Sequence, residues 1–435
     1  MGITETLEYI HSVKWKGSKP GLGRTRKLLK ALGNPEKALK FVHIAGTNGK
    51  GSTAVCIAAV LQKAGYRTGL YTSPYIQRFN ERMQVNGEHI SDDELIWLTD
   101  EIRPFADALI DSPTEFEMIT ALAMKYFQQK NCDIVVLEVG MGGELDSTNV
   151  IDTPEIAIIT SIGYDHVKEL GPTLRDIAMA KAGIIKSNGD VVIYSGETET
   201  NAVFERVCIK RGARLRRADF TRIIQREASL DGVRFALIPY GEITLPLAGT
   251  YQPKNALVAV TALECLCEKG YHISDGNIIG GLAAVRWPGR FEVLGSDPVF
   301  ILDGAHNPQG VGATADSLRS HFGERKIIFI VGVMADKDVD SMMSRIAPLT
   351  EMFIAVRPDN PRAMDVKALA GQLSRYGSPV SPCDTVVRGV AEAIGRAGKD
   401  SIICALGSLY FSADIRAAYN AVNSEFGIRN SELQL

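Results

Sequence analysis

Long apolar runs are missing from this sequence. The stretch from 327 to 334 is among the longest, and its length fits a buried strand, not a membrane span. Charge of one sign is missing too. Lys and Arg number 48 against 51 Asp and Glu, a net charge of -3, which gives no reason to expect nucleic acid or an anionic membrane as partner. The seven cysteines, at 56, 132, 208, 265, 267, 383 and 404, are odd in number and include no CxxC pair. That argues against a disulfide framework or a zinc ribbon and for a reducing cytoplasm, with thiols serving as small core residues. Cys265 and Cys267 would point to different faces of a helix. Repeats and low-complexity segments are absent, and the first residues lack the charged–apolar–small order of a signal peptide. Ile3, Leu7 and Ile10 sit instead at helical spacing.

At 435 residues the chain is too long for one core. Short apolar runs alternate with helical patterns almost throughout. Residues 41–45, 68–71, 134–139, 156–160 and 191–194 read as strands, with helical patterns at 92–102 and 116–129. In the latter, Ile119, Leu122, Ala123, Tyr126 and Phe127 form one apolar stripe. This alternation predicts an α/β fold with a mainly parallel sheet and ligands at the carboxyl ends of its strands. From about 213 to 247 the pattern changes, and 233–238 and 243–247 read as short antiparallel strands, followed by a helix over 255–267. A turn-rich break at Trp287-Pro288-Gly289-Arg290 precedes a second α/β series. It has strands at 299–303, 326–333, 352–356 and 401–406, a helix over 311–321 and a terminal helix. The expected domains are 1–294 and 295–435.

The most informative stretch is His43-Ile44-Ala45-Gly46-Thr47-Asn48-Gly49-Lys50-Gly51-Ser52. A strand breaks into a glycine-rich turn, and a helix over 52–64 follows. Glycines let the backbone approach an anion, several N–H groups point inward, and the helix N-terminus adds partial positive charge. Lys50 can then reach terminal phosphates. The commoner phosphate-loop spacing wants Gly at 44 and a hydroxyl at 51; here 44 is Ile and the hydroxyl is delayed to Ser52.

Other strand ends carry polar groups with two readings each. Glu138 ends an apolar strand, as a Mg²⁺ ligand or as an ordinary rim carboxylate. Asp165-His166 follows the 156–160 strand, with His166 either a structural or solvated histidine or, on the same rim as Glu138 and Lys50, a functional one. Ser73 offers a hydroxyl to a metal, or simply begins a Ser-Pro turn. By its local sequence, Lys181 is a solvated helix charge. Asp303 and His306, in Asp303-Gly304-Ala305-His306-Asn307-Pro308, suit sugar hydroxyls and substrate positioning, or Asp303 or Asn307 caps the next helix.

Together these pieces resemble the folylpolyglutamate synthase/dihydrofolate synthase family of the Mur-ligase superfamily. The segments that carry the resemblance are HIAGTNGKGS, YTSPYIQRFNER, PTEFEM, VLEVGMGGELDSTN, DHVKELG, KAGIIK, YQPKNA, RWPGRFEV and DGAHNP. They follow the family's order over nearly the whole chain. The resemblance implies an N-terminal P-loop ATPase domain plus a C-terminal Rossmann-like domain. It implies that Thr47, Asn48, Gly49, Lys50, Gly51 and Ser52 hold ATP phosphates, and that Asn255, Arg290 and Asp303 also contact ATP. Ser73, Glu138 and His166 would bind Mg²⁺, with room for a monovalent cation. Lys181 matches a lysine that the family carbamylates, which replaces the solvated reading, and His306 joins Lys50 and Lys181 as catalytic. Thr114, Phe116, Leu145, Asp146 and Ser147 match positions lining the pterin pocket, whereas 17–22 and Gly163-Tyr164 depart from the family's patterns.

The implied reaction joins L-glutamate to reduced folate, and also to dihydropteroate, through an acyl phosphate, in a cytoplasmic monomer. Two rivals keep the nucleotide site. A cell-wall ligase would need a UDP-binding domain ahead of the loop, for which the upstream residues leave no room. A nucleotide-binding switch would bind without glutamate-dependent turnover.

Overall fold

The computed structural model describes residues 2–12 and 21–426. The chain divides into two compact units. The first comprises the residues up to Ile224 with Ala236–Ile243 and Lys254–Val285; the second comprises Gln225–Phe235, Thr244–Pro253 and the residues from Arg286 onward.

In the first unit, helices α1 (Ile3–Ser12) and α2 (Gly23–Ala31) precede strand β1 (Phe41–Ala45) and helix α3 (Lys50–Lys63). Then come β2 (Thr68–Tyr71), β3 (Met83–Val85), β4 (Glu88–His89), α4 (Asp92–Asp107), α5 (Glu115–Gln129) and β5 (Ile134–Glu138). After them follow β6 (Ile156–Ile159), α6 (Val167–Leu170), α7 (Leu174–Ala182), β7 (Asp190–Ile193), α8 (Thr198–Arg211) and β8 (Arg214–Arg217). The sheet order is β4-β3-β2-β5-β1-β6-β7-β8. From β2 to β8 every pair is parallel, and β3 pairs antiparallel with both β2 and β4. Because helices cover both faces, β1, β5 and β6 are buried along their length and apolar apart from His43 and Glu138. The chain passes from β1 to β2 on one side and from β5 across β1 to β6 on the other. The carboxyl end of β1 is therefore the point where the winding reverses, the usual ligand position in such sheets.

Local signals explain the helix starts. Ser91 and Thr114 each accept the N3 backbone N–H of their helix, and Glu94 and Glu117 return the bond to the cap backbone. The stripe expected on α5 is buried, and so are Met118, Ala121 and Met124, so this helix is enclosed on more than one side. It packs with α1 and α4 in one apolar cluster around Phe79, Leu98 and Phe127.

Strands β9 (Ile223–Ser229), β10 (Gly232–Leu237) and β11 (Gly241–Leu245) make a separate three-stranded sheet, one strand more than expected. Helices α9 (Gln252–Glu268) and α10 (Asp275–Ala283) follow. The second unit's sheet contains β12 (Glu292–Ser296), β13 (Val299–Leu302), β14 (Ile327–Val331), β15 (Thr350–Val356), β16 (Val380–Cys383) and β17 (Ile402–Leu406). Its order is β12-β13-β17-β14-β15-β16, parallel except for β12 at the edge. Helices α11 (Pro308–Phe322), α12 (Val339–Ile346), α13 (Val366–Leu373), α14 (Val386–Arg396) and α15 (Ser412–Phe426) connect or follow these strands. The expected division after residue 294 would cut β12; the last crossing between units instead falls between Val285 and Arg286.

In the first unit, α3 and α10 approach through Gly281, where a Cβ would lie 2.6 Å from the Cα of Val60. No side-chain rotation relieves a clash with backbone. Gly281→Val is expected to destabilise the protein by roughly 1–3 kcal/mol, read as a lower urea midpoint; an unchanged midpoint would mean that the two helices separate without cost.

Candidate functional site

The glycine turn leaves β1 and is held in place from β6. The backbone N–H groups of Thr47 and Asn48 both reach the carbonyl of Ser161, at 2.8 and 3.4 Å. The Thr47 hydroxyl donates to the Gly163 carbonyl at 3.1 Å and accepts from the Gly163 N–H at the same distance. Ser161 Oγ returns a bond to the Asn48 carbonyl at 3.3 Å. Glycine is needed twice here. At Gly46 (φ +152°) a Cβ would overlap Thr160 Oγ1, and at Gly49 (φ +86°) it would lie 2.5 Å from Asn255 Oδ1. Gly49 is the N-cap of α3, so Gly51 and Ser52 lie in the helix's first turn, with its unspent N–H groups. The helix begins at Lys50, two residues ahead of the expected start.

Two lysines converge on this turn. Lys50 Nζ donates to the carbonyls of Gly46 and Thr47 at 3.1 and 3.2 Å. Lys181 Nζ, from the end of α7, donates to the same Gly46 carbonyl at 2.8 Å. Lys181 is 5% exposed, which corrects the local reading of a solvated charge. Burial, reinforced by the Lys50 charge and opposed by Asp165 and Asp146, lowers its amine to about 7.

The remaining rim residues are only partly gathered. Glu138, buried at the end of β5, accepts the Ser73 N–H at 3.1 Å. His166 has a left-handed backbone (φ +50°), its N–H donates to Asp165, and its ring faces Asp165 and Glu169 at 4.0 and 3.9 Å. Among the described residues no group of three or more His, Cys, Asp or Glu side chains is placed to hold a metal. Glu138 with the adjacent Ser73 does fit Mg²⁺, which takes one or two carboxylates and fills its shell with phosphate and water.

The segment matched to the pterin pocket is internally bonded. Asp146 accepts from the Met141 N–H at 2.9 Å, the Thr148 N–H at 3.0 Å and the Thr148 hydroxyl at 2.6 Å. Burial raises its carboxyl, and these donors oppose the shift. Because Thr148 Oγ1 gives its hydrogen to Asp146, its contact with His43 Nε2 at 2.9 Å has the ring nitrogen as donor. Burial, with Lys186 second, holds His43 neutral down to about 3. Ser147 Oγ pairs with Thr120 Oγ1 at 2.6 Å, and Thr114 is occupied as the cap of α5. Leu145 is exposed, and the Phe116 ring packs on Gly140, where a Cβ would come within 2.4 Å of it. Residues 17–20 of the segment that departs from the family's pattern lie outside the described residues.

In the second unit, β13 ends at a buried Asp303. It accepts from the Ala305 N–H at 2.8 Å, the Phe291 N–H at 3.1 Å and the Tyr251 hydroxyl at 3.3 Å. Burial raises its carboxyl, opposed first by Arg290. His306 Nδ1 lies 2.8 Å from the Gly304 carbonyl. Asn307, not Asp303, caps the following helix, accepting the Gly310 N–H at 2.8 Å.

Sequence reasoning overlooked three participants. His43 was legible as the one polar residue in an apolar strand. Tyr251 stood inside the YQPKNA match. Arg24, whose Nε and Nη2 meet Glu117 at 2.9 and 2.8 Å in the interior, carried no local signal.

Two family descriptions match the chain: "Mur ligase middle domain" over residues 44–263 and "Mur ligase, glutamate ligase domain" over residues 289–409. The dihydrofolate synthase/folylpolyglutamate synthase of Bacillus subtilis (strain 168) is 38% identical over 425 residues, 95% of this chain and 98% of that protein. The folylpolyglutamate synthase of Lacticaseibacillus casei is 38% identical over 377 residues, 84% and 87% of the two chains. Among solved structures, Mycobacterium tuberculosis folylpolyglutamate synthase complexed with ADP matches with a TM-score of 0.90 at 31% identity, covering 96% of this chain and 98% of that one. An FPGS–AMPPCP–folate complex matches with a TM-score of 0.85 at 34% identity, covering 97% and 100%.

The buried Lys181 amine has a measurable signature. The unfolded chain keeps a lysine charged up to about pH 10.4, so between about pH 7 and 10 the unfolded state binds more protons and native stability rises with pH. Below that window the full cost of the buried charge is present. Lys181→Met removes it. The stability advantage of that variant over the natural protein is expected to be largest near about pH 6.5 and to shrink by up to about 1.4 kcal/mol per pH unit toward about pH 9.5, in urea titrations. A pH-independent difference would return Lys181 to an ordinary environment.

Proposed function

Because this chain belongs to the folylpolyglutamate synthase/dihydrofolate synthase family of Mur ligases, we propose that it ligates L-glutamate to reduced folate at the expense of ATP, and to dihydropteroate as well. The observation that carries this reading is the glycine turn at the carboxyl end of β1. There Lys50 and Lys181 meet at the Gly46 carbonyl, within a chain collinear with ligases of that name.

A substrate carboxylate attacking the γ-phosphorus of ATP meets charge repulsion. The turn's N–H groups and the Lys50 ammonium offset it and fix the in-line geometry. The carboxylate oxygen forms the new P–O bond as the bond to ADP breaks, giving an acyl phosphate. The L-glutamate amine then attacks the acyl carbon and loses a proton, and inorganic phosphate leaves. Thr47, Asn48, Gly49, Gly51 and Ser52 hold the phosphates, and Asn255, packed on Gly49, borders them. Arg290 and Asp303 are assigned to the nucleotide and His306 to the reacting groups. Mg²⁺ would be held by Glu138, Ser73 and His166 and would supply neutralisation of the phosphate oxygens. Among the described residues, none on this rim singles out a place for a monovalent cation.

Lys181 is suited to carbamylation. With its amine lowered to about 7, a substantial neutral fraction exists at neutral pH, and neutral amine plus CO₂ gives carbamate plus a proton. In the pterin pocket, the Phe116 ring and exposed Leu145 offer contact surface, while Thr114, Asp146 and Ser147 hold the segment's shape through the bonds above. The seven thiols are free, and no helix among the described residues is long and apolar enough to cross a membrane. The cytoplasmic location is proposed with the free thiols as its support, and a monomer by analogy with the family.

Phosphate release is expected only when ATP, L-glutamate and an acceptor, tetrahydrofolate or dihydropteroate, are all present. Lys50→Ala should retain the fold by circular dichroism and lose about 10²-fold or more in kcat. Glutamate-independent hydrolysis would favour a switch, and normal turnover in Lys50→Ala would remove the phosphate-loop assignment. Peptide mass spectrometry under mild neutral conditions with bicarbonate is expected to find carbamate on Lys181. An unmodified Lys181 in an active preparation would remove that role.

A further inference from the structure

Several arginines of the first unit find carboxylates: Arg24 pairs with Glu117, Arg78 with Asp92 and Arg222 with Glu264. Arg82 does not. It is 8% exposed; its Nε and Nη1 are sealed from solvent with no hydrogen-bond partner, so Nη2 is the nitrogen open to a ligand. What the protein does place against the guanidinium is aromatic. The ring centroids of Tyr75 and Phe79 lie 5.1 and 5.7 Å away.

A cation in this setting is costly. Burial strips its water, and two ring faces return only part of that loss. A protein that needed only packing here would be served better by a neutral side chain of similar length. The position says what the charge is for. The Arg82 carbonyl accepts the Thr72 N–H at 3.1 Å, which fixes Arg82 beside the carboxyl end of β2. The next residue along, Ser73, donates its N–H to Glu138 on the phosphate rim. Arg82 is thus one backbone bond and one residue removed from Glu138, at the end of the strand that carries Ser73 to the rim.

We infer that Arg82 binds a carboxylate of the acceptor substrate, the α-carboxylate that stands beside the γ-carboxylate being activated. This rests on the ligase reading above and sharpens it. Through Nη2 the cation can give a carboxylate one charge-assisted hydrogen bond, and stacking on Tyr75 and Phe79 leaves it weakly hydrated and already oriented. An acceptor ending in glutamate has two carboxylates, one that reacts and one that does not. An acceptor ending in benzoate, as dihydropteroate does, has only the reacting one. Arg82 therefore selects between the two substrate classes by recognising the group that only one of them carries.

The test compares Arg82→Gln and Arg82→Lys with the natural full-length protein. KM is measured for tetrahydrofolate, L-glutamate and ATP, and dihydropteroate affinity by fluorescence titration. Arg82→Gln is expected to raise KM for tetrahydrofolate at least about tenfold, with Arg82→Lys recovering part of the loss. KM for ATP and for L-glutamate and the affinity for dihydropteroate should stay within about twofold. The urea midpoint of Arg82→Gln should equal or exceed that of the natural protein, since an uncompensated buried charge has gone. An unchanged KM for tetrahydrofolate overturns the inference. So does equal weakening of tetrahydrofolate and dihydropteroate, or a rise confined to L-glutamate or ATP. A lowered midpoint with unchanged KM would make Arg82 a packing residue. If the natural protein itself shows no glutamate-dependent phosphate release, the ligase reading fails first, independently of Arg82.

Discussion

The carbonyl of Ser161 governs the phosphate turn. Both N–H groups that open the turn, from Thr47 and Asn48, end on this one oxygen, so the loop's path is set from the neighbouring strand and not by the loop itself. Thr160 seals the arrangement against Gly46, where no side chain could fit. The loop carbonyls are thereby turned to where Lys50 and Lys181 can reach them, and the first turn of α3 opens toward the rim. If β1 and β6 did not share the register that pairs Ala45 with Ile159, the two lysines would have no common acceptor.

Much of this was readable in the sequence because it depends on local rules. An apolar pentapeptide followed by glycines and lysine can scarcely be anything but strand, turn and helix, and β1 and β2 fall where the run lengths put them. Capped helices announce themselves through Ser91 with Glu94 and Thr114 with Glu117. Legibility failed where a residue's state depends on something distant in the chain. Lys181 looks solvated by its helical neighbours; only the fold shows it pressed against Gly46. Asp146 looks available for a ligand, yet its oxygens are engaged by Met141 and Thr148. Strands such as β8, three arginines around one leucine, and β16, four residues interrupted by Pro382, gave no periodic signal at all.

The interior polar groups fall into two kinds. Arg24 with Glu117, and His43 through Thr148 to Asp146, are connected sets in which each named donor meets an acceptor, with His43 Nδ1 the one atom left buried without a partner. Such sets hold backbone segments in one arrangement, and losing a partner would strand the other in a medium that solvates it poorly. Lys181 and Arg82 are the second kind. Their charge is poorly compensated by the protein, and both lie along the rim formed by the carboxyl ends of β1, β2, β5 and β6. Stability is sacrificed at the places where chemistry is expected.

The chain does not visit its two units in turn. It leaves the first after Ile224, returns, leaves again over Thr244–Pro253, returns through Val285, and only then completes the second. Tyr251, whose hydroxyl reaches Asp303, and Ala248, whose carbonyl meets His321, belong to these early excursions. During synthesis these pieces exist well before the sheet they join. The second unit is therefore assembled from strands of different age, and a gene cut between residues 285 and 286 would yield a fragment lacking part of its own wall.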